Sequence, residues 1–540
     1  MTLNAAIEVE NVDFESKNIK LLSQLSLAQT GGTHDEATAN DVWGWTDPVT
    51  GIEYVLLGRS DGVAMIQIED PQNPIFLGLL PLTPETQTFV NRDVKVYKDN
   101  AYVIADNNVH GLQIFDLTQL RNISEPPVVF TPTNLFLGVE KAHNITINEE
   151  TGYCYLSGYK LESDTLLPRN GLMVLDLNQE IDSPNFLQGT FKRARLDGDS
   201  YTHDAQVVIY RGPDEQYQGE EIAFCSNAGI FLIVDVSDKS RMREISNATY
   251  PEVNYIHQGW LTEDHHYFIS NDEHDDDAAG GFTTTHIWDV SSLDFPRYIG
   301  AHVHNTTSKD HNLHIHNGLL YEANYTTGLR ILEMTDLENA KLEEIAYIDT
   351  HPENDDDGIF AGAWGVYPFF ESGTIAIGDM ERGLILVQLQ NPLSVWTSKY
   401  FTEEELQDPN QEETLWGYSA DPDHDRLNNL MEFSIDSNPL TPTPQSGMSI
   451  LLGFNSSSNN GDQQHLTPII SIRSRSDYSN LIFHLESSTN LMPDSWDNEF
   501  SFLNTEGAND NQWRIENYIP NFSMESDSRR FFRYSVELID

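Results

Sequence analysis

Basic residues and cysteines are both scarce in this 540-residue chain. Lysine and arginine number 30 against 85 aspartate and glutamate residues, which gives a formal net charge of −55. A surface of this charge repels phosphate backbones and anionic membranes, so nucleic acid is excluded as an expected partner. The two cysteines, Cys154 and Cys225, fall on segments expected to lie well apart. We therefore expect two buried free thiols, although a disulfide is possible.

Long apolar runs are also missing. No stretch approaches the length of a membrane-spanning helix, and the first ten residues lack the basic and apolar regions of a signal peptide. The sequence leaves two alternatives open, a cytoplasmic protein or one whose leader has been removed. A hydrophobic content of 39% argues against wholesale disorder.

The chain does contain a repeat. Seven times, a short apolar segment begins at a glycine or a threonine and ends near a small or acidic residue. These segments begin at Gly62, Gly111, Gly171, Gly229, Thr284, Gly328 and Gly383. Each belongs to a unit with three other strand-like segments, and helical periodicity is lacking. Four short strands in each unit of about 50 residues predict an all-β fold, a seven-bladed β-propeller over residues 18–395.

Segments outside the repeat complete the predicted architecture. Residues 19–27 have the character of an isolated fourth strand, which we expect to close the ring by pairing with the seventh blade; the alternative is a free N-terminal arm. Residues 396–446 contain short helical segments and a Pro/Thr/Ser-rich run, and they are predicted to form a linker. Alternating segments in residues 447–540 predict a small β-sandwich.

The innermost strand of each propeller blade lines the central channel, so equivalent residues should form a ring at one mouth. In blade order, the residues predicted for this ring are Trp43, Asp93, His143, His203, His257, His311 and Trp364. Four consecutive blades offer an imidazole, and Asp204 and Asp310 lie beside two of them. Neutral imidazoles that converge with carboxylates suit a transition metal such as Zn, Cu, Fe, Ni or Mn. The alternative is a polar, water-filled channel whose histidines bond to backbone and water.

A metal ion with an open coordination position could polarise a substrate or activate water. Tyr201, Tyr255 and Tyr325 lie close in sequence to the predicted ring and are candidates for the acid or base of such a reaction. The sequence has no nucleophile elbow, Walker loop, zincin helix or dinucleotide fingerprint. It identifies no substrate.

The linker holds a second candidate cation site. Residues 421–432, DPDHDRLNNLME, have the ligand spacing of an EF-hand calcium loop. The predicted ligands are Asp421, Asp423, Asp425, the carbonyl of Leu427, Asn429 and Glu432. Arg426 stands where glycine usually permits the sharp turn, so calcium binding requires a left-handed backbone there or is weakened. The alternative is an acidic linker without an ion. Two further acidic runs, 272–277 and 354–357, could bind further cations or a cationic ligand, but solvated loop charge is the favoured interpretation.

The repeat and its longer motifs resemble a known family. The GLxIxD-type strands are similar to those of the LVIVD-repeat proteins, and the longer motifs resemble the bacterial choice-of-anchor B family among them. These motifs are WGWTDPVTGIEY (43–54), YTHDAQ (201–206), HQGWLTED (257–264), DHNL (310–313) and NYTTGLRI (324–331). The resemblance covers roughly residues 18–395 and implies a secreted or surface-attached protein of no firmly assigned activity. The calcium loop resembles the dockerin-like and thrombospondin type 3-like loops that join domains in secreted bacterial proteins.

Two functional hypotheses follow from the sequence. The first is a secreted propeller with a histidine-lined metal centre that acts on a small molecule or glycan, joined to the sandwich by a calcium-stiffened linker. The second is a non-enzymatic adhesion or scaffold module that binds protein or polysaccharide on a propeller face. Four imidazoles in register favour the first hypothesis, because a scaffold has no need of them.

Overall fold

The computed structural model describes residues 14–31, 37–83, 91–106, 109–161, 170–193, 200–275, 281–353, 359–435 and 437–442, together with six strands between residues 450 and 538. The chain divides into two compact units, residues 1–389 and 390–540, and each is described by itself. Within this described part of the chain, none of the helices is both long and apolar enough to cross a membrane.

The first unit is a seven-bladed β-propeller, which confirms the fold predicted from the repeat. Strands β1 (Ser16–Lys17) and β2 (Ile19–Leu25) precede the blades. Blade 1 contains β3 (Ala39–Thr46), β4 (Glu53–Arg59), β5 (Gly62–Gln67) and β6 (Ile75–Pro81). Blade 2 contains β7 (Arg92–Tyr97), β8 (Asn100–Ala105), β9 (Leu112–Asp116) and β11 (Asn134–Phe136), while the short β10 (Val128–Val129) pairs with blade 1.

The remaining blades follow the same order. Blade 3 contains β12 (Asn144–Asn148), β13 (Tyr153–Ser157), β14 (Leu172–Asp176) and β15 (Leu187–Phe191). Blade 4 contains β16 (Asp204–Ile209), β17 (Glu221–Ser226), β18 (Phe231–Asp235) and β19 (Arg243–Ala248). Blade 5 contains β20 (Ile256–Leu261), β21 (Tyr267–Asp272), β22 (Thr284–Asp289) and β23 (Arg297–Val303). Blade 6 contains β24 (Asn312–His316), β25 (Leu319–Ala323), β26 (Leu329–Asp336) and β27 (Lys341–Ile348), and blade 7 contains β28 (Ala363–Tyr367), β29 (Thr374–Asp379) and β30 (Gly383–Leu389).

The N-terminal strand closes the ring. Strand β2 pairs antiparallel with β30, in register from Ile19 opposite Leu389 to Leu25 opposite Leu384, and so supplies the fourth strand of blade 7. This confirms the closing strand expected from residues 19–27. The first strands of neighbouring blades contact one another around the whole circle, including β28 against β3.

Apolar side chains hold the blades together. Successive residues of a strand point to opposite faces, so each blade buries one set of side chains against the preceding blade and one against the following blade. Among the described residues of the propeller, seven apolar clusters result, one at each interface between neighbouring blades. Cys154 and Cys225 belong to two different clusters and are both buried and free, as expected.

The glycine at the start of the third strand has a steric cause in blades 6 and 7. Gly328 has a φ of 75° and Gly383 a φ of 85°, both in the left-handed region. A Cβ atom on Gly328 would lie 2.1 Å from the carbonyl oxygen of Ile348, and one on Gly383 would lie 2.4 Å from that of Leu25. The fourth strand therefore crosses so close to this turn that only glycine fits.

The described residues of the second unit form three short α-helices, one π-helical turn (Glu412–Trp416) and antiparallel strands. The helices are α1 (Pro392–Tyr400), α2 (Glu403–Gln407) and α3 (Asn429–Ile435), and the strands are β31 (Ile450–Ser457), β32 (His465–Arg475), β33 (Leu481–Ser488), β34 (Phe500–Gly507), β35 (Trp513–Pro520) and β36 (Phe531–Leu538). Four strands form a sheet in the order β31-β32-β35-β34, and β33 pairs with β36. Leu393, Trp396, Leu430 and Phe433 form an apolar cluster between helices α1 and α3. The packing of the two sheets as a sandwich stays a prediction.

The closing strand provides a test of the fold. Leu25 is 8% exposed and belongs to the cluster between blades 7 and 1, whereas Leu21 on the same strand is 43% exposed. Leu25→Ala is expected to lower the free energy of unfolding by about 2–5 kcal/mol, because it leaves a cavity at the ring closure. Leu21→Ala is the matched control and should change it by about 0.5 kcal/mol or less. Equal effects of the two substitutions in denaturant unfolding would contradict closure by β2.

Candidate metal centre

The structure brings the four predicted histidines together. They stand at the start of the first strands of blades 3 to 6, and their rings form an arc at one mouth of the channel. The ring centroids are 4.0 Å apart between His143 and His203, 4.3 Å between His203 and His257, and 4.3 Å between His257 and His311. Imidazoles separated by up to 168 residues (311 − 143) in the sequence thus become neighbours.

The Nδ1 atoms of three of these rings have fixed hydrogen-bond partners. His203 Nδ1 donates to the backbone oxygen of His257 at 2.8 Å, and His311 Nδ1 donates to that of Trp364 at 2.5 Å. His143 Nδ1 lies 2.9 Å from Oδ2 of Asp106. A carbonyl oxygen only accepts, so the Nδ1 atoms of His203 and His311 carry the proton and Nε2 keeps its lone pair. Metal-binding histidines in proteins are oriented in this way.

Glu273 adds a carboxylate to the arc. Its Oε1 lies 3.9 Å from Nε2 of His257 and 3.7 Å from Nε2 of His311, and all three side chains are buried. Zinc and similar ions bind nitrogen and oxygen at about 2.0–2.2 Å. Ligand atoms 3.7 to 3.9 Å apart can therefore all reach one ion that lies between them.

Burial keeps the central imidazoles neutral. It lowers the pKa of His257 well below its usual range, and the neighbouring His311, His203 and His143 lower it further. Burial also lowers the pKa of His311 to about 3. A neutral imidazole is the form that binds a metal ion.

The three predicted aspartate ligands are not members of the ligand group formed by His257, Glu273 and His311. Asp93 and Asp204 line the central channel below the arc, where Asp93 bonds Lys95 and the backbone amide of Ile145, and Asp204 accepts from Asn144 at 2.7 Å. Asp310 is buried outside this cavity. Its charge contributes to the raised pKa of Tyr325, for which burial is the main cause.

The predicted tyrosines all border the arc. The ring of Tyr201 lies 5.9 Å from that of His203, and the ring of Tyr255 lies 5.2 Å from it. Tyr325 is the closest to the candidate ligands, because its hydroxyl donates to Oε1 of Glu273 at 3.1 Å and its ring lies 4.7 Å from His311. Tyr325 also has a φ of 40°, a strained backbone conformation of the kind that occurs at functional sites.

The sequence did not identify two carboxylates that border the histidine arc, Glu273 and Asp106. Glu273 belongs to the acidic run 272–277, which was expected to be solvated, yet both Asp272 and Glu273 are buried. Asp272 accepts hydrogen bonds from the backbone amides of Asn254 at 2.8 Å and Tyr255 at 2.6 Å, and these bonds compensate for its burial. Residues 276–280 and 354–358 lie outside the described residues. Glu273 and Asp106 each follow directly after the second strand of a blade, which runs antiparallel to the first and returns to the same mouth, so position could have identified both.

Trp43 lies at the other mouth, not in the predicted ring. The first strand of blade 1 begins at Ala39, upstream of Trp43, and Asp41 is a residue of this strand that lines the central channel. Trp43 instead lines a cavity of about 850 Å³ together with Trp260, Tyr367 and Phe369.

Lys95 lies between the two mouths and neutralises two buried carboxylates. Its ammonium donates to Asp41 Oδ2 at 2.9 Å and also to Asp93. Burial and the adjacent Asp93 raise the pKa of Asp41 well above its usual range. Burial also acts to raise the pKa of Asp93, but the charge of Lys95 and the hydrogen bonds from Asp41, Lys95 and the amide of Ile145 together hold it below its usual range. This buried group of three charges lies below the histidine arc.

The predicted calcium loop gathers three of its ligands. Carboxylate oxygens of Asp421, Asp423 and Asp425 all lie within 4.8 Å of one another. Arg426 has a φ of 82°, which is the left-handed conformation that calcium binding requires at this position. Glu432 is fully buried at the start of α3 but is not part of the group of three, and the amide of Asn429 donates to the carbonyls of Leu415 and Gly417.

Comparison with known proteins does not identify a family for this chain. No model of a known protein family matches the chain, and no curated protein is significantly similar to it. The resemblance to the LVIVD-repeat proteins therefore stays an interpretation of the motifs.

The charge balance around Lys95 provides a test. Lys95→Met leaves Asp41 and Asp93 buried without a cation and is expected to cost about 3–5 kcal/mol of unfolding free energy at mildly alkaline pH. The pKa values of both carboxyls in the folded variant then lie above those in the unfolded chain. Stability is therefore retained at acidic pH and lost as the pH rises through the folded-state values.

Denaturant unfolding at mildly acidic and mildly alkaline pH measures this difference. Lys98→Met is the control, because Lys98 is exposed on the following turn and bonds only Asn178. A loss for Lys95→Met that is equal at both pH values would show that packing and not charge determines the effect.

Proposed function

We propose that the protein is a metal-binding propeller whose channel mouth holds one divalent transition-metal ion. The observation that supports this is the convergence of His257 Nε2, His311 Nε2 and Glu273 Oε1 within ligand distance of a common point. His203, whose Nε2 keeps its lone pair, is the next imidazole of the arc and the candidate fourth ligand. Two or three imidazoles with one carboxylate suit zinc, manganese or ferrous iron.

The reaction that this site favours is proton transfer on a metal-bound small molecule or glycan. Such an ion polarises a bound oxygen or activates water. Tyr325, whose hydroxyl is bonded to Glu273, is the nearest of the candidate tyrosines to accept or donate a proton. Tyr201 and Tyr255 border the other end of the arc and are placed to contact a substrate.

A binding function on the opposite face is the second candidate. The cavity of about 850 Å³ at the other mouth is lined by aromatic side chains, with Lys95 and Glu149 among them. Cavities of this size with apolar walls and a few polar groups are typical of ligand sites. A protein or polysaccharide partner would use this face without any metal chemistry, as an adhesion or scaffold module does.

The remaining proposals concern location and the linker. We place the protein outside the cytoplasm, secreted or at the cell surface, on the strength of its resemblance to the choice-of-anchor B proteins. We also propose that the loop at residues 421–432 binds calcium, supported by the clustered aspartates and the left-handed Arg426.

Metal analysis tests the central proposal. Purified protein, stripped with a chelator and titrated with Zn²⁺ or Mn²⁺, is expected to bind one ion in the propeller. His257→Ala and His311→Ala should each weaken this binding by more than about 100-fold, which exceeds the usual cost of losing an outer hydrogen-bond partner. Calorimetry and elemental analysis provide the affinity and the stoichiometry.

His316→Ala is the matched control, since His316 ends the same strand that follows His311 and bonds only the adjacent Asn317. Tyr325→Phe should leave metal affinity within a few fold and reduce any metal-dependent activity. Retention of one tightly bound ion in both His257→Ala and His311→Ala would overturn the metal centre and favour the binding module.

Chelation tests the calcium loop separately. Calcium at 100 times its dissociation constant is expected to stabilise the second unit by about 2.7 kcal/mol, and removing it should lower the melting temperature correspondingly. Asp423→Asn combined with Asp425→Asn should abolish the calcium response, because two of the clustered carboxylates lose their charge. An identical melting temperature with and without calcium in the unaltered protein would rule out the loop as a calcium site.

A further inference from the structure

Arg92 is a buried cation whose two terminal nitrogens lack a partner among the described residues. It is 2% exposed, and its Nη1 and Nη2 atoms have no hydrogen-bond partner among the residues that the structure describes. Only Nε has a partner, a long bond of 3.4 Å to the backbone oxygen of Arg59. An unpaired buried guanidinium destabilises a folded protein by several kcal/mol, so such a group marks a site where a ligand completes the bonding.

The position of Arg92 connects it to the histidine arc. Arg92 stands one residue before Asp93 in blade 2, just as His143 stands one residue before Asn144 in blade 3. Asp93 accepts a hydrogen bond from the backbone amide of Ile145 at 2.8 Å, and Ile145 is the residue after Asn144. This contact sets the register between the two blades. Arg92 therefore continues the ring in which the next four members are histidines, and it lines the same central cavity of about 30 Å³.

The nearby acidic groups do not neutralise it. Asp61 is the carboxylate whose charge acts on Arg92, but it is already paired with the guanidinium of Arg59 at 2.8 Å. Asp41 and Asp93 in the same cavity are paired with Lys95. Asp204, which also lines this cavity, accepts a hydrogen bond from the side-chain amide of Asn144 at 2.7 Å.

We propose that Arg92 binds the carboxylate group of a small ligand in the central cavity, beside the metal ion of the histidine arc. The two free nitrogens of a guanidinium form a planar fork that matches the two oxygens of a carboxylate. A cavity of about 30 Å³ accepts a group of this size. A dianionic tetrahedral phosphate is larger and would lie closer to the aspartates of the cavity.

This inference deepens the proposed function, because it names the substrate class of the metal centre as a small carboxylic acid. Its first step needs no metal, since the guanidinium is unpaired in the protein itself. The arginine can therefore be tested in chelator-treated protein, and the failure of the carboxylate site is distinguishable from the failure of the metal centre.

Thermal unfolding in the presence of small anions tests the proposal. In metal-free protein, sodium formate and sodium acetate are expected to raise the melting temperature above that in sodium chloride at equal ionic strength. Arg92→Met should abolish this difference, and it should also raise the melting temperature in chloride because it removes an unpaired buried charge. Arg92→Lys keeps the charge without the fork and should weaken formate binding at least tenfold.

Arg297→Met is the control, because Arg297 is an exposed arginine paired with Asp289 and should leave the anion response unchanged. In protein loaded with Zn²⁺, formate should bind more tightly to the unaltered chain than to the Arg92→Met variant. Equal stabilisation by chloride and formate would show that the site binds a simple halide as well, and it would overturn the proposal. Stabilisation by phosphate alone would also overturn it, and so would a formate response that survives in Arg92→Met.

Discussion

The inner edge of each blade needs hydrogen-bond partners that no further strand can supply. Side chains of the neighbouring blade provide them. Asp93 accepts the amide of Ile145, and Gln206 and Gln258 accept the amides of Leu261 and Leu313 at 2.8 and 2.7 Å. The histidines of the arc obey the same requirement, because the Nδ1 atoms of His203 and His311 bond carbonyls of the next blade. The hydrogen bonds that satisfy these backbone groups thus fix the orientation of the rings. Their Nε2 atoms keep the lone pair that a metal ion would bind.

One ring position therefore performs different tasks in different blades. The apolar clusters between blades determine the position and twist of each first strand, so the residue at its start does not have to support the fold by packing. Blades 3 to 6 place histidine there, blade 2 places Arg92 and blade 7 places Trp364. Below this level the channel contains Lys95, which pairs with two aspartates. The histidines and Arg92 are concentrated at a single mouth.

Sequence periodicity was sufficient to predict the fold and the histidine arc, because both depend on the register of the repeats alone. The closing strand was predictable for the same reason, since a propeller blade with three strands needs a fourth. Glu273, Asp106 and Arg92 were not identified. The first lies in an acidic run whose composition is that of a solvated loop, and its burial follows from tertiary contacts with Tyr325 and the arc. Trp43 was misplaced because the first strand of blade 1 begins at Ala39, upstream of the WGW motif that was aligned with the histidines of the other blades.

Closure by β2 also affects the order in which the molecule assembles. The strand that completes blade 7 is made first and its partner about 370 residues later (389 − 19), so the final pairing is a contact of very long range. The arc draws on blades 3 to 6, which can stack as neighbours before the circle is complete. The cavity at the other mouth has walls from blades 1, 2, 3, 5 and 7, and its aromatic side chains come from blades 1, 5 and 7, so it is complete only when the two ends of the propeller meet. A nascent or nicked chain can therefore carry the histidines in place while the aromatic side chains of the opposite face are still apart.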